Sequence, residues 1–318
     1  MDDILQVKKL QKYFKTPKGT LRAVDGLTFS IPRGATLGVV GESGCGKSTL
    51  GRTVIGLCDA TAGQTIFEGK DILHLQGKER KAIRLQMQMI FQDPFSSLNP
   101  RMSVSEAIAE GLIVHNLCSS TAELNKRVTE LMDTVGLAQR LALSYPHELD
   151  GGRRQRIGIA RALSLNPSFI VCDEPVSALD VSIQAQILNL MQDLQEERGL
   201  TYMFITHNLS VVKHISNEIM VMYLGQMMEK CPSEELFSNT FHPYTKALLS
   251  SIPSVDLDNR KERILLNGEI SSPIDPKPGC RFAARCPYVE NICYQQNPEI
   301  REIVSGHYIA CHCAEKIQ

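Results

Sequence analysis

Gly41-Glu42-Ser43-Gly44-Cys45-Gly46-Lys47-Ser48-Thr49 is the stretch of the chain with the most evident chemistry. Its glycines let the backbone turn so that successive N–H groups face a polyphosphate, Lys47 adds a full positive charge, and the Ser48 hydroxyl is a ligand for Mg²⁺. A pair of acids, Asp173-Glu174, ends the apolar run Phe169-Ile170-Val171-Cys172. At the carboxyl end of a buried strand, one acid can hold Mg²⁺ through water while the next orients or deprotonates a hydrolytic water. Gln92 ends the run Met89-Ile90-Phe91 and is a candidate to reach Mg²⁺ or the attacking water. His207 stands in the same place after Thr201–Thr206, as a candidate γ-phosphate ligand that is neutral or charged near physiological pH. Asp150-Gly151-Gly152 opens a helical run, and both an anion site at exposed N–H groups and a plain N-capped helix fit it. The aromatic pair Tyr13-Phe14, with Phe14 the first choice, suits stacking on an adenine ring as well as it suits ordinary packing.

The elements that must position these residues follow from apolar spacing. Ala35 to Val40 reads as a buried strand and Leu50 to Leu57 as a helix, which gives strand, glycine loop, helix. Residues 4–9 and 21–31, separated by the turn-rich Lys15-Thr16-Pro17-Lys18-Gly19, predict an antiparallel hairpin with the aromatic pair just after its first strand. From Ile72 to Val135 the pattern is largely helical, interrupted by a strand ending at Gln92 and a loop containing Pro and Ser. Beyond Asp180, the residues Ile183, Ile187, Leu190, Met191 and Leu194 predict an amphipathic helix.

The 318 residues suffice for a full core and about two domains. A net charge of −1 gives no basic excess for a phosphate backbone, so no nucleic-acid partner is expected. No apolar run is long enough to span a bilayer, and the start Met1-Asp2-Asp3-Ile4 lacks a basic leader, so a cytosolic location is expected. In that reducing compartment the ten cysteines read as buried thiols or metal ligands rather than disulfides.

Taken in order, the loop 41–48, Gln92, the segment 149–153, the acidic strand 169–174, Ser177-Ala178-Leu179-Asp180 and His207 resemble an ATP-binding cassette ATPase over about residues 4–240. The tail resembles the extension of the oligopeptide, dipeptide and nickel importer subfamily at Phe241-His242-Pro243-Tyr244, the proline-rich Ser272 to Gly279, Cys280-Arg281-Phe282 and Arg285-Cys286-Pro287. The resemblance implies an α/β fold: a parallel P-loop core sheet, an N-terminal antiparallel β subdomain, an inserted helical subdomain at about 96–165 within a nucleotide-binding domain 1–240, and a small Cys-rich extension 241–318. It implies ATP and Mg²⁺ as ligands, with Asp180 among the nucleotide-site residues. It also implies two ATPase subunits closing head to tail around two ATP molecules, two transmembrane permease subunits, an extracytoplasmic binding protein, and a peripheral location on the cytoplasmic face of the inner membrane. Residues 93–104 would form part of the groove for a short permease helix. Peptide is the favoured cargo over nickel. A soluble cassette ATPase of nucleic acid or ribosomes is the alternative class, and a regulatory subunit that binds ATP without useful hydrolysis is a third.

The chain departs from the family at the signature, where Ser-Gly-Gly-Gln is replaced by Asp150-Gly151-Gly152-Arg153. An ionised Asp cannot donate to a phosphate. At roughly 5 Å and an effective dielectric near 20, each facing negative charge costs about 3 kcal/mol before compensation. The site completed by this signature is expected to be weakened, which predicts a heterodimer with unequal sites; the alternative is that Arg153 neutralises Asp150 and leaves a tuned site. Cys280, Cys286, Cys293 and Cys311 are separated by five, six and seventeen residues, looser than a zinc ribbon. Four thiolates can hold a [4Fe–4S] cluster or Zn²⁺, with His312 and Cys313 as substitutes for Cys311; the resemblance to the subfamily, some of whose members carry an iron–sulfur cluster at comparable cysteines, favours the cluster. Unliganded thiols in a small core are the remaining possibility.

Overall fold

The computed structural model describes residues 2–252, 263–266, 268 and 271–317. The chain divides into two compact units, Met1–His74 with Phe204–Gln318, and Leu75–Met203.

The first unit opens with β1 (Asp3–Thr16) and β2 (Gly19–Pro32), an antiparallel hairpin closed at Thr16↔Gly19. Both strands are longer than apolar spacing predicts, because register shifts let the twisted ribbon continue past residue 9. Tyr13 and Phe14 therefore lie inside β1, not after it, opposite Arg22 and Leu21. β3 (Thr36–Val40) is buried along its whole length, and α1 (Lys47–Val54) follows the glycine loop. β4 (Ala62–Phe67) and β5 (Lys70–Asp71) complete a four-stranded sheet in the order β2-β1-β4-β5.

The second unit carries α2 (Gly77–Gln86), β6 (Met87–Ile90), the short α3 (Pro94–Ser97), α4 (Val104–Val114) and α5 (Thr121–Thr134). The strand before Gln92 stops at Ile90, two residues earlier than expected, because Asp93 caps α3 and turns the chain. Then come α6 (Gly151–Leu163), β7 (Phe169–Asp173), and α7 (Val181–Arg198), which ends at left-handed Gly199. β6 and β7 pair in parallel from Met87↔Phe169 to Ile90↔Cys172. All five residues of β7 are buried, the signature of a strand covered on both faces. β8 (Thr201–Ile205) straddles the division between the units.

The first unit resumes with α8 (Leu209–Ile215), β9 (Glu218–Tyr223), β10 (Gln226–Pro232), α9 (Ser233–Ser238) and α10 (Pro243–Ser250). The tail adds α11 (Asn291–Gln295), β11 (Arg301–Val304) and β12 (His307–Ile309). β3 and β9 are parallel neighbours, and β10, β12 and β11 extend that sheet antiparallel. The Phe241-His242-Pro243-Tyr244 run is fixed by buried Glu229 on β10, whose carboxylate accepts from the Phe241 and His242 N–H groups at 2.9 and 3.3 Å. The same carboxylate meets Nε2 of fully buried His307 at 2.8 Å. The proline-rich segment runs along the start of β2: the Arg22 N–H donates to the Pro273 carbonyl and the Asp275 N–H to that of Thr20.

Candidate functional site

In the first unit the phosphate loop is shaped by two close approaches. Gly46, at φ +105°, precedes α1, and a Cβ there would lie 2.0 Å from the Ala23 carbonyl oxygen; at Gly41, at φ +154°, it would lie 2.2 Å from that of Met222. Only glycine fits these positions without moving backbone. Lys47 is buried, its Nζ donating to the carbonyls of Gly41 at 2.8 Å and Glu42 at 3.1 Å, so the ammonium is folded over the loop. Ser48 and Thr49 lie in the first turn of α1, while Ser43 and Gly44 are exposed. Burial pushes the Cys45 thiol up, with Lys47 acting the other way, so it is held as a thiol inside the loop.

Neighbouring segments brace this loop. The Gly225 N–H donates to the Cys45 carbonyl at 2.8 Å, and the Tyr244 hydroxyl accepts from the Glu42 N–H at 2.9 Å. Glu42 is forked by Arg285 from the tail, with Nη1 at 3.1 and 2.9 Å from Oε1 and Oε2 and Nη2 at 3.1 Å from Oε1. Asp25 on β2 accepts from the Tyr13 hydroxyl and from Arg281, which also donates to the Leu224 carbonyl. Burial first, and the bond to Asp25 second, raise the Tyr13 pKa to about 12. The Tyr13 ring has the Arg22 guanidinium 5.5 Å from its centre and the Phe14 ring has Lys12 at 4.7 Å, so both rings are placed beside cations. His207 is exposed, two residues past the end of β8 and just ahead of Asn208, the N-cap of α8.

In the second unit, Asp173 is fully buried at the end of β7, and Glu174 follows at φ +46°. A non-glycine residue in this left-handed region costs on the order of 1–2 kcal/mol, strain that the surrounding turn has to hold. The Ser177 hydroxyl and N–H both donate to the Glu174 carbonyl, at 3.1 and 3.3 Å. Gln92 Nε2 donates to Glu174 Oε2 at 3.0 Å, which brings two of the expected residues together and leaves the amide oxygen as the other end of the Gln92 side chain. Oxygen donors of this kind, with the Asp173 carboxylate of the same unit, are of the type that suits a hard cation such as Mg²⁺.

Asp150 caps α6, accepting from the Arg153 N–H at 2.8 Å, and its other oxygen is 3.4 Å from Arg153 Nε. Their side chains are 60 and 48 % exposed, so the pair is weak and solvent-screened. Asp150 and Arg153 also line a cleft of about 320 Å³ together with Arg140 and Arg156. A Cβ at Gly152 would sit 2.7 Å from the Ile183 side chain and one at Gly151 3.1 Å from Leu179, so the glycine pair is packed against the first turn of α7 and the residues just before it. Asp180 caps α7 through the Ile183 N–H at 3.0 Å. Beside this helix pair Phe95 is half exposed, with the Arg154 guanidinium 5.1 Å from its ring centre.

The tail cysteines form a small core: Cys293 and Cys313 are buried with Ala283 and Ile317, and Cys280 and Cys311 pack against them. Burial raises the thiol pKa values of Cys280 to about 12 and of Cys286 to about 11, and the other sulfurs add to this. Among the described residues no group of three or more His, Cys, Asp or Glu side chains is arranged to hold a metal ion. Cys280, Cys293, Cys311 and Cys313 thus share one small apolar core.

Sequence reasoning did not find Arg285 or Tyr244 as neighbours of the loop, nor Asp25 and Arg281 as partners of each other. Arg281, Arg285 and Tyr244 lie in runs that stand out in the tail, but a charge or a ring in one segment does not name its partner in another.

Residues 24–177 match the ABC transporter family, and residues 228–293 match the oligopeptide/dipeptide transporter C-terminal region. The chain is 52 % identical to the oligopeptide transport ATP-binding protein AppF of Bacillus subtilis, over 98 % of this chain and 97 % of that protein. It is 49 % identical to OppF of the same organism (99 and 98 %) and to a putative peptide import ATP-binding protein of Brucella ovis (97 and 97 %). Among solved structures, the dimeric post-hydrolysis ATP-binding cassette MJ0796 bound to ADP and Pi superposes with a TM-score of 0.67 at 28 % identity, covering 72 % of this chain and 98 % of that one. CbiO1 of Clostridium perfringens, part of an ABC transporter complex, gives 0.67 at 28 % identity over 75 and 92 %. The chain belongs to the ABC transporter family of ATP-binding proteins, with the cassette ATPase fold and its ATP-hydrolysing chemistry. Among the described residues no helix is long and apolar enough to cross a membrane.

Proposed function

We propose that this chain is the ATP-hydrolysing subunit of a membrane importer for peptides. The cargo reading is supported by the match of residues 228–293 to the oligopeptide/dipeptide transporter C-terminal region and by peptide-transport relatives aligned over nearly the whole chain. The observation that carries the chemistry is Glu174, strained at the end of buried β7 and hydrogen-bonded to Gln92. In this reading the N–H groups of residues 41–49 and Lys47 bind the β- and γ-phosphates of ATP, and His207 contacts the γ-phosphate. Glu174 orients and deprotonates the water that attacks the γ-phosphorus, and ADP leaves with the bridging oxygen. Ser48, Gln92 and Asp173 would hold Mg²⁺, which when bound withdraws charge from the phosphate oxygens. Phe14 and Tyr13 are the candidates beside the adenine.

The partners in this reading are a second, non-identical ATPase subunit, two transmembrane permease subunits and an extracytoplasmic binding protein, with the chain peripheral on the cytoplasmic face of the inner membrane. Nucleotide lies between the loop of one ATPase chain and the signature of the other, so ATP favours the closed dimer and hydrolysis releases it. Half-exposed Phe95 beside Arg154 is the surface offered to a permease helix. The Asp150–Arg153 pair supports a tuned rather than an abolished signature. Affinity purification of the tagged chain from native membranes tests the assembly: two permease subunits and a second ATPase subunit are expected, and recovery of the chain as a soluble homodimer would refute it.

The cysteine core bears on the cofactor. For Cys280, Cys286, Cys293 and Cys311 to hold a [4Fe–4S] cluster or Zn²⁺, the thiols would have to deprotonate and draw in from the arrangement described. Anaerobic purification with a visible spectrum and metal analysis decides the matter: brown protein with about four iron atoms per chain establishes the cluster, stoichiometric zinc the alternative, and neither leaves a thiol core.

A further inference from the structure

We propose that Arg285 is a positioning residue of the ATP site, through which the tail holds Glu42 of the phosphate loop in place and cancels its charge. This rests on the reading of residues 41–49 as the nucleotide loop. The loop has to receive a triphosphate of several negative charges, yet its second residue is an acid. Arg285 takes both carboxylate oxygens in a fork at 2.9–3.1 Å, and its Nη1 also reaches the Tyr223 hydroxyl at 3.3 Å. The Arg285 and Glu42 side chains are only 10 and 25 % exposed, so water screens the pair poorly. The same residue is fixed at its backbone, where the Tyr244 hydroxyl accepts from the Glu42 N–H at 2.9 Å.

Lys47, the loop's cation, is 3.1 Å from the Glu42 carbonyl oxygen. Without Arg285, the carboxylate has two alternatives. It can swing to Lys47 and occupy the charge meant for phosphate, or stay where it is and repel the nucleotide. Both weaken ATP binding, and both vanish when the carboxylate is removed. The fork thus gives the tail, 243 residues away in the chain, a direct hold on nucleotide affinity.

Titration of the full-length chain with a fluorescent ATP analogue and Mg²⁺ tests this. Arg285→Ala is expected to weaken binding about tenfold, and Arg285→Lys, which keeps the charge without the fork, by less. The double variant Arg285→Ala/Glu42→Gln is expected to return to within about twofold of the parent. A purely structural role for Arg285 would leave the double variant as weak as Arg285→Ala, and that result overturns the proposal, as does unchanged affinity in Arg285→Ala. Lys47→Ala separates the two levels of the argument: if it binds as well as the parent, the loop reading fails and the proposal with it. If it abolishes binding while Arg285→Ala does not alter it, the proposal alone fails.

Discussion

Replacing His242 by Asn isolates one buried titration in the first unit. The ring is 1 % exposed, and Nδ1 accepts from the Tyr244 N–H at 3.1 Å, so the cap of α10 needs a neutral imidazole with its lone pair at that atom. Burial lowers the pKa from 6.5 to about 4, with Glu229 pulling weakly upward. The unfolded chain therefore binds this proton more readily than the folded one. The contribution is intact above pH 6.5 and is lost as pH falls toward 4. Between pH 7.5 and pH 5.0 the linkage amounts to about 2 kcal/mol. His242→Asn keeps a capping oxygen and does not titrate. Urea unfolding followed by far-UV circular dichroism, at both pH values and for both proteins, should show the parent losing about 2 kcal/mol more than the variant on acidification. Equal losses in the two proteins would refute a neutral buried His242.

Two further outcomes concern the signature. Asp150→Ala removes the cap of α6 and should destabilise the chain by about 1 kcal/mol, while Asp150→Ser restores that stability in the same unfolding assay. Because Asp150→Ser also removes the negative charge and supplies a hydroxyl donor, it should raise ATP turnover of the assembled complex several-fold, as phosphate release would report; unchanged turnover would mean that Arg153 already neutralises the signature in full.

The order of motifs was legible because each is local. β3 and the glycine loop follow directly from an apolar run and three glycines, and Asp150 stands where an N-cap is expected; the helix read over Leu50 to Leu57 is displaced to Lys47–Val54 because it begins inside the loop and ends before left-handed Gly56. Strand ends were less legible. β1 continues past residue 9 because pairing with β2 tolerates register shifts, which hydrophobic alternation does not show. The left-handed backbone of Glu174 is invisible in its residue type, which gives no hint of φ +46°. The braces on the loop were the least legible, since Arg285 and Glu42 are paired by folding alone. For the tail cysteines, composition indicated a cluster of sulfurs, but whether they meet as thiolates around a metal or as thiols in a core depends on distances that spacing does not fix.

The most direct measurement is steady-state phosphate release by the complete transporter complex, parent against Glu174→Gln, with ATP binding followed in parallel. If Glu174 serves the hydrolytic water, turnover falls by about 100-fold or more while ATP is still bound. Turnover that survives the substitution at the parent's rate would contradict the assignment of hydrolysis to this chain's site.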